Sequence, residues 1–346
     1  MWGMANSFSE KLLAWYDENR RILPWRETPS PYGTWLSEIM LQQTRVEAGK
    51  AYYLRFMEAL PTIEDLAKAD EDLCLKLWEG LGYYSRVRNL HKAAKILVEE
   101  YGGELPHDVK ELTKLPGIGE YTASAIASMA FGKKEVAVDG NLLRVYSRLE
   151  EDSTNIKDPK AKESCRTFFL GKMKERPGDF NQALMDLGEL VCLPNGTPKC
   201  DACPLASFCK VHKAKKEQDY PVVEKAKTKK EEGRIVFLLQ HQGKIAIRKR
   251  PDSGLLASLY EFPNALGEKE DSWAANYLKE KGLSFASLAS IGEAKHVFSH
   301  LVWKMKGYRV ELDALPKEND LLFVTKEELL ERYSIPSAFS YYLKSL

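Results

Sequence analysis

Four cysteines crowd into eighteen residues: Cys192, Cys200, Cys203 and Cys209, spaced C-x7-C-x2-C-x5-C. Four thiolates in such a run can hold a tetrahedral zinc ion or an iron–sulfur cluster. Zinc ribbons generally use two C-x2-C knuckles. Only Cys200/Cys203 has that form, and the wider spacing on both sides fits the corners of a larger cubane better. Zinc and four unrelated cysteines remain as alternatives. The loop is polar, with Pro194, Pro198 and Pro204, so it lacks a core and a metal would have to organise it. Cys74 and Cys165 stand alone. In a chain that keeps its thiols reduced, a tight cluster reads as metal ligation before disulfides.

Two carboxylates have contexts that suit acid–base work. Glu38 sits in Ser37-Glu-Ile-Met-Leu-Gln-Gln-Thr44, with apolar residues following it. Desolvation there would raise its pKa and let it carry a proton at neutral pH as a general acid. An exposed helix residue is the plainer reading. Asp139 lies in Ala137-Val-Asp-Gly-Asn-Leu142, where Asp before a new helix is a natural N-cap. The run Leu115-Pro-Gly-Ile-Gly119 joins two helices. Its glycines permit a sharp turn and would leave the N–H groups of the next helix facing a phosphate, although an ordinary helix connection would look the same.

These residues must be positioned by a chain of 346 residues, a length suited to two domains. With 44% hydrophobic and 29% charged residues it is globular and not disordered. No run of about 18 apolar residues is present, so a membrane-spanning helix is excluded. Met1 to Glu10 has neither the basic nor the apolar region of a secretory signal. Lys plus Arg (51) nearly cancels Asp plus Glu (50), so any basic surface must be local. Residues 1–213 are expected to form an all-α domain that includes the cysteine loop 192–209. The helical patterns begin at Ser7 or Ser9 and near Tyr32 to Leu41, then run over about 62–80, 84–101, 120–131, 140–149, 158–174 and 179–191. Residues 214–233, rich in lysine, read as a basic linker that tethers the domains or touches phosphates. Beyond Gly233 the period becomes two. A hairpin is expected over Arg234–Gln240 and Lys244–Arg250, a helix over Ser272–Lys281, and a strand pair within Val297–Leu312. Helices follow over Lys326–Arg332 and Ser337–Lys344. Residues 234–346 are thus an α+β domain.

The runs SEIMLQQTRVE, WEGLGYYSRVRNLHKAA (78–94), LPGIGEYTASAIAS (115–128), AVDGNLLRV (137–145) and the cysteine loop resemble the helix-hairpin-helix DNA glycosylases that carry a [4Fe–4S] cluster. Within that superfamily they are similar to the MutY family of adenine DNA glycosylases. The resemblance spans the first domain in order. GLLASLYEFP (254–263) and VFSHLVW (297–303) extend it to a Nudix-like second domain, which lacks the carboxylates of a Nudix hydrolase box.

The resemblance implies a set of roles. Glu38 protonates adenine N7 and later handles water, while Asp139 stabilises or adds to an oxocarbenium-like sugar. Tyr121 and Asn141 support them. Endonuclease III-type relatives carry a nucleophilic lysine where this chain has Tyr121, so a monofunctional enzyme that uses water is expected. Trp25, Arg26 and Gln182 would line an adenine pocket, though Trp25 and Gln182 also suit a core and a helix surface. Gln43, Thr44 and Tyr83 would meet the orphaned base, with Tyr83 as the wedge. Gly117 and Gly119 would approach a phosphate, and Cys192, Cys200, Cys203 and Cys209 would hold the cluster. Phe298, Ser299 and His300 match the lesion-reading motif. 8-Oxoguanine has an N7–H donor where guanine has an acceptor, so the Ser299 oxygen can tell them apart. Otherwise Ser299 reads as a β-turn serine.

Two departures from the family pattern stand out. Seven residues, not six, separate the first two cluster cysteines, with the extra one in Leu193–Thr197. Ser258 replaces a frequent glycine, at a cost if that position needs positive φ.

The expected protein is a monomeric, cytoplasmic, bacterial base-excision enzyme, associated with the nucleoid through its DNA. It would bind duplex DNA and excise adenine opposite 8-oxoguanine or guanine. The alternatives are a related glycosylase for another base lesion, such as thymine or a damaged pyrimidine, and a catalytically silent DNA-binding module.

Overall fold

A computed structural model describes residues 7–224, 228–267, 271–316 and 320–346. The first part of the chain is helical. α1 (Phe8–Asn19), α2 (Pro24–Glu27), α3 (Pro31–Leu41), α4 (Val46–Ala59), α5 (Ile63–Lys68), α6 (Glu71–Leu77) and α7 (Ser85–Glu100) come first. α8 (Val109–Leu112), α9 (Glu120–Met129), α10 (Gly140–Glu150), α11 (Pro159–Lys172), α12 (Pro177–Leu190) and α13 (Lys210–Ala214) complete the set. Their starts are written in the sequence. Ser7 closes a capping box with Glu10, and Ser30, Asp70, Asp108, Asp139 and Asp158 cap their helices through side-chain oxygens. α12 packs against α1, α9 and α10. It places Phe180, Ala183, Leu184 and Leu187 in a core shared with Phe8, Leu12, Leu142 and Phe169.

The second part builds a mixed sheet from β1 (Lys230–His241), β2 (Lys244–Lys249), β3 (Tyr260–Glu261), β4 (Asn264–Leu266), β5 (Phe285–Val297), β6 (Leu301–Leu312) and β7 (Leu322–Val324). The strand order is β3-β2-β1-β6-β5, with β4 also on β1 and β7 also on β2. β1 runs parallel to β6 and antiparallel to β2. Both faces of β1 are covered: Val236 and Leu238 join one core, while Ile235, Phe237 and Leu239 join another. This double burial makes the strand read as a continuous apolar run. α14 (Asp271–Glu280), α15 (Lys326–Arg332) and α16 (Ser340–Leu343) complete the domain, α16 following a 3-10 turn at Ser337–Phe339.

Several sequence expectations change. The helix expected over 62–80 is two, because Asp70 ends one turn and caps the next. The expected 337–344 helix is a 3-10 turn followed by one short helical turn. α4 was not foreseen: only Gly49, Tyr53 and Phe56 of its fourteen residues are buried, too few to show a stripe. The strand pair expected within 297–312 is really β5 against β6. β5 is an edge strand whose large apolar residues, Phe285, Leu288, Ile291 and Val297, lie three or more positions apart among small, polar and charged ones, so it has no apolar alternation to read.

The expected linker, 214–233, is also shorter than it looked. β1 begins at Lys230. Before it, Val222 accepts a bond from Ile156 N and Tyr220 O accepts one from Arg148 Nε, so this stretch is strapped to the helical part. Lys225 and Lys227, two of the lysines that marked it, lie outside the described residues, as does Met1–Asn6. Contacts divide the molecule differently from the expected 1–213 and 234–346. Described residues 7–68 and 89–224 form one unit, and 69–88 join the residues from 228 onward in the other. No helix among the described residues is long and apolar enough to cross a membrane.

Ser258 has φ +62° and is buried, so the position does require the left-handed backbone that glycine adopts freely. Ser258→Gly should stabilise the C-terminal unit by about 1 kcal/mol, and Ser258→Ala should give no such gain. Urea unfolding of the two variants measures both.

Candidate active site

Glu38 lies near the end of α3, a helix buried on nearly every side. Only 8% of the residue is exposed. Loss of water pushes its carboxyl up to about 7, and the nearby Asp139 adds to the rise. A bond from Tyr121 and the charge of Arg26 oppose it. The Tyr121 hydroxyl donates to Glu38 Oε2 at 2.6 Å. Tyr121 stands in the first turn of α9, directly after the glycine hairpin, and burial beside the two carboxylates holds its phenol well above the usual value. It therefore stays protonated and remains a donor.

Asp139 takes the N-cap position that the sequence allowed. It caps α10, accepting from Leu142 N at 2.7 Å through Oδ1. Its other oxygen accepts from Asn141 Nδ2 at 2.9 Å. Burial raises its pKa, while these two bonds and the Arg144 charge pull it back down. Burial raises both carboxylates, but their partners differ: Glu38 has one neutral donor and the charge of Arg26, whereas Asp139 caps a helix N-terminus, has a second donor in Asn141 and lies near the Arg144 charge.

Three α12 residues that the sequence reading did not single out hold this arrangement. Asn181 is fully buried. It accepts from Ala137 N and donates to Ser128 Oγ, Glu135 O and Pro177 O, which fixes the segment leading into Asp139. Asp186, also fully buried, receives Arg26 at 2.7 Å and Arg21 at 2.8 Å. Arg26 is therefore held by a carboxylate while its charge still reaches Glu38. Gly188 leaves room for Asn141, since a Cβ there would sit 2.7 Å from the Asn141 Cβ. Arg144 is a fourth unforeseen residue. It donates to Asn141 Oδ1 at 2.8 Å, to Gly188 O at 2.9 Å and to Cys192 O at 2.8 Å. The only sequence signal for these positions was the polar character of Asn181 and Asp186 on an otherwise apolar helix face.

The remaining candidates fall as follows. Trp25 is a core residue, edge-on to Tyr53 with ring centres 5.2 Å apart. Gln182 is half-buried on α12. Gly117 has φ +78°, and a Cβ there would meet the Asn89 Cβ at 2.7 Å, so both conformation and space require glycine. A Cβ on Gly119 would meet nothing within 4 Å, leaving the start of α9 open on that side. Gln43 is exposed with φ +58°, and Thr44 is half-buried. Tyr83 is 47% exposed with φ +48°. Strained backbone at two exposed polar and aromatic residues is the kind found at ligand-gripping positions. In the second unit, Phe298, Ser299 and His300 form the tight turn between β5 and β6. Phe298 N donates to Leu301 O, its ring packs on Trp303, and Ser299 and His300 are exposed.

Cys192, Cys200, Cys203 and Cys209 line one cavity, floored by Leu187, Val191 and Leu205. A bond from Lys199 N to Val191 O closes the first loop, so the extra residue bulges within 193–198, where Gly196 has φ +74°. Arg148 donates to Cys192 Sγ at 3.2 Å and to Leu193 O. Burial pushes the Cys200 thiol up to about 11 and the Cys203 thiol up to about 12. Four soft donors around one apolar-floored hollow, with an arginine on one sulfur, suit a metal centre that binds thiolates. His212 and Glu217 stand beside Cys200, and the three donor atoms lie within 4.8 Å of one another.

Comparison with known proteins finds two matching domain families. Residues 36–169 match the HhH-GPD superfamily base excision DNA repair proteins, and residues 235–345 match the NUDIX domain. The chain is 38% identical to an adenine DNA glycosylase of Arabidopsis thaliana over 84% of its own length, though it spans only 55% of that relative. It is 34% identical to an adenine DNA glycosylase of Mus musculus, covering 90% of this chain and 72% of the relative. Among solved structures, a thermostable thymine-DNA glycosylase matches with a TM-score of 0.54 and 31% identity, over 60% of this chain and 95% of that one.

The Glu38 environment has a measurable consequence. Unfolding returns its carboxyl to the ordinary value of 4.5. Between about pH 5 and pH 7 the folded chain keeps a proton that the unfolded chain has released, so stability falls as pH rises through that window, by on the order of 3 kcal/mol. Glu38→Gln keeps an oxygen for Tyr121 and removes the titration. Urea unfolding at pH 5 and pH 8 should show the decline in the parent and a nearly flat line in the variant.

Proposed function

Since the chain belongs to the adenine DNA glycosylase family, we propose that it hydrolyses the N-glycosidic bond of adenine placed opposite 8-oxoguanine or guanine in duplex DNA. The observation that carries this reading is the pair of buried carboxylates with opposed surroundings, Glu38 on the Tyr121 hydroxyl and Asp139 on Leu142 N and Asn141. Adenine leaves readily only once a ring nitrogen is protonated. Tyr121 occupies Glu38 Oε2, so the proton rides on Oε1 and passes from there to N7 of a flipped adenine. Asp139, whose donors favour its ionised form against the pull of burial, faces the positive charge that develops on the sugar. Asn141 and Arg144 orient it. Arg26, anchored by Asp186, tempers the Glu38 pKa and lines the base pocket with Trp25 and Gln182. Water completes hydrolysis, with Glu38, now ionised, as the base. The phenol of Tyr121 cannot form a Schiff base, so the abasic strand stays intact.

DNA is held through Gly117 and Gly119, where the exposed backbone N–H groups at the start of α9 suit a phosphate. Tyr83, Gln43 and Thr44 fill and grip the gap left by the flipped base. Ser299, on its exposed turn, accepts the N7–H that only the oxidised guanine offers, with Phe298 and His300 flanking it. Cys192, Cys200, Cys203 and Cys209 would hold a [4Fe–4S] cluster. When bound, the cluster supplies metal–thiolate bonds that fix the 192–209 loop, together with one-electron redox capacity. The likeness to a thymine-DNA glycosylase keeps one competing substrate in view, thymine opposite guanine.

Single-turnover excision on duplexes carrying adenine opposite 8-oxoguanine, with and without hot alkali, tests the activity. Breaks should occur only after alkali. Breaks without alkali would mean a lyase and refute the role given to Tyr121, and activity confined to thymine opposite guanine would move the substrate. Glu38→Gln should lower the rate by roughly 10²- to 10⁴-fold, the range of a lost general acid. The parent rate should fall as pH rises above about 7. Ser299→Ala should reduce the preference for 8-oxoguanine over guanine and leave the rate opposite guanine almost unchanged.

A further inference from the structure

Residues 69–88 precede the C-terminal domain by more than a hundred positions, yet they pack with it as one unit. The joint is made by one face of α6 and the turn after it. Asp72 receives Lys249 Nζ at 2.7 Å and the Tyr260 hydroxyl at 3.2 Å. Glu79 receives the backbone N–H of Ile335 at 3.0 Å and Lys76 Nζ at 2.6 Å. Lys76 also donates to Tyr333 O at 3.3 Å, and Arg88 donates to Asp252 O at 3.0 Å. Tyr260 and Tyr333 pack edge to face, with centres 4.8 Å apart.

Both ends of this joint lead to exposed residues already given a role. On one side, Trp78 Nε1 bonds Gly82 O at 3.1 Å, and Arg86 bonds the carbonyls of Leu81 and Gly82. That grip sets the loop on which Tyr83 stands. On the other side, Ile335 shares a core with Phe339 and Trp303. Trp303 packs against Phe298, next to Ser299 in the reading turn. A continuous chain of packed side chains and hydrogen bonds thus joins the Ser299 turn to the Tyr83 loop within one unit.

We propose that Asp72, Lys76 and Glu79 are specificity-determining positioning residues, which couple what the Ser299 turn reads to where Tyr83 is placed. The inference rests on the reading of Ser299 and Tyr83 given above. The joint includes none of the residues assigned above to the DNA or to the reacting atoms. Its effect is to make the oxidised guanine count toward base flipping, so its loss lowers discrimination without removing the chemistry at Glu38 and Asp139.

The test compares single-turnover rates and duplex affinities for adenine opposite 8-oxoguanine and opposite guanine. The proteins are the full-length parent, Glu79→Ala, Asp72→Lys, Lys249→Asp and the charge-swapped double variant Asp72→Lys/Lys249→Asp. Glu79→Ala and each charge reversal should lower the ratio of the two rates by about ten-fold, within the range that residues remote from a site reach. The swapped pair should restore much of it. An unchanged ratio overturns the proposal, as does an equal fall on both substrates, which marks the joint as structural only. If a single reversal fails to fold, the swap and Glu79→Ala still decide. A parent with no preference for 8-oxoguanine would instead refute the role given to Ser299. That outcome is separate from a parent that discriminates and variants that discriminate equally well.

Discussion

Two carboxylates inside one helical domain dominate its construction. Burying an ionised carboxylate without a partner costs more than a fold of this size can spare, and neither Glu38 nor Asp139 forms a salt bridge in the structure. The conflict is resolved twice, by different means. Glu38 is allowed to keep its proton and is given a single neutral donor, Tyr121. Asp139 is given a helix N-terminus, a carboxamide and a nearby arginine. Each solution would fail at the other position. A cation bonded to Glu38 would pull its pKa down and strip its proton. Asp139 without its donors would be pushed by burial toward its neutral form.

The second consequence falls on α12. It packs against α1, α9 and α10, and two of its polar residues, Asn181 and Asp186, are fully buried. Asn181 ties its carboxamide to Glu135 and Ala137 on the approach to Asp139, and Asp186 binds Arg26 and Arg21 at once. Gly188 gives up a side chain so that Asn141 can fit. A helix with three such positions sacrifices apolar burial to fix geometry. It remains stable because Phe180, Leu184 and Leu187 still reach the core from the same turns.

This explains what could be read in advance. Glu38 and Asp139 sit in runs whose local pattern marks a buried stripe or a helix start, so local context raised them as candidates, whereas Tyr121 and Asn141 were named only by resemblance. The four cysteines declared themselves by density. Asn181, Asp186, Gly188 and Arg144 did not, because their importance lies in partners forty or more residues away, and no periodicity reports such a bond. The same limit hid β5, whose pairing with β6 is a backbone register that its sequence pattern does not report. It also hid the allegiance of residues 69–88. Their helical pattern is plain, but the acidic face of α6 reads as a solvated surface until Lys249, Tyr260 and Ile335 are placed against it.

The molecule separates chemistry from recognition by how each is solvated. Acid catalysis needs a dry, rigid pocket, since water would return Glu38 to an ordinary pKa. Recognition needs groups that reach a second molecule, and the candidates for it are exposed. Gln43 and Tyr83 hold a left-handed backbone, and Ser299 sits on a two-strand turn. A strained or tightly turned backbone keeps its shape only where its surroundings leave no alternative. For Tyr83 those surroundings are the indole of Trp78 and the guanidinium of Arg86, both gripping carbonyls of the same loop. For Ser299 they are the Phe298 ring on Trp303 and the Lys229 ammonium on Phe298 O. Both exposed probes are therefore set by buried aromatic anchors. On the function proposed above, discrimination depends on packing beneath the surface as much as on the atoms that meet the DNA.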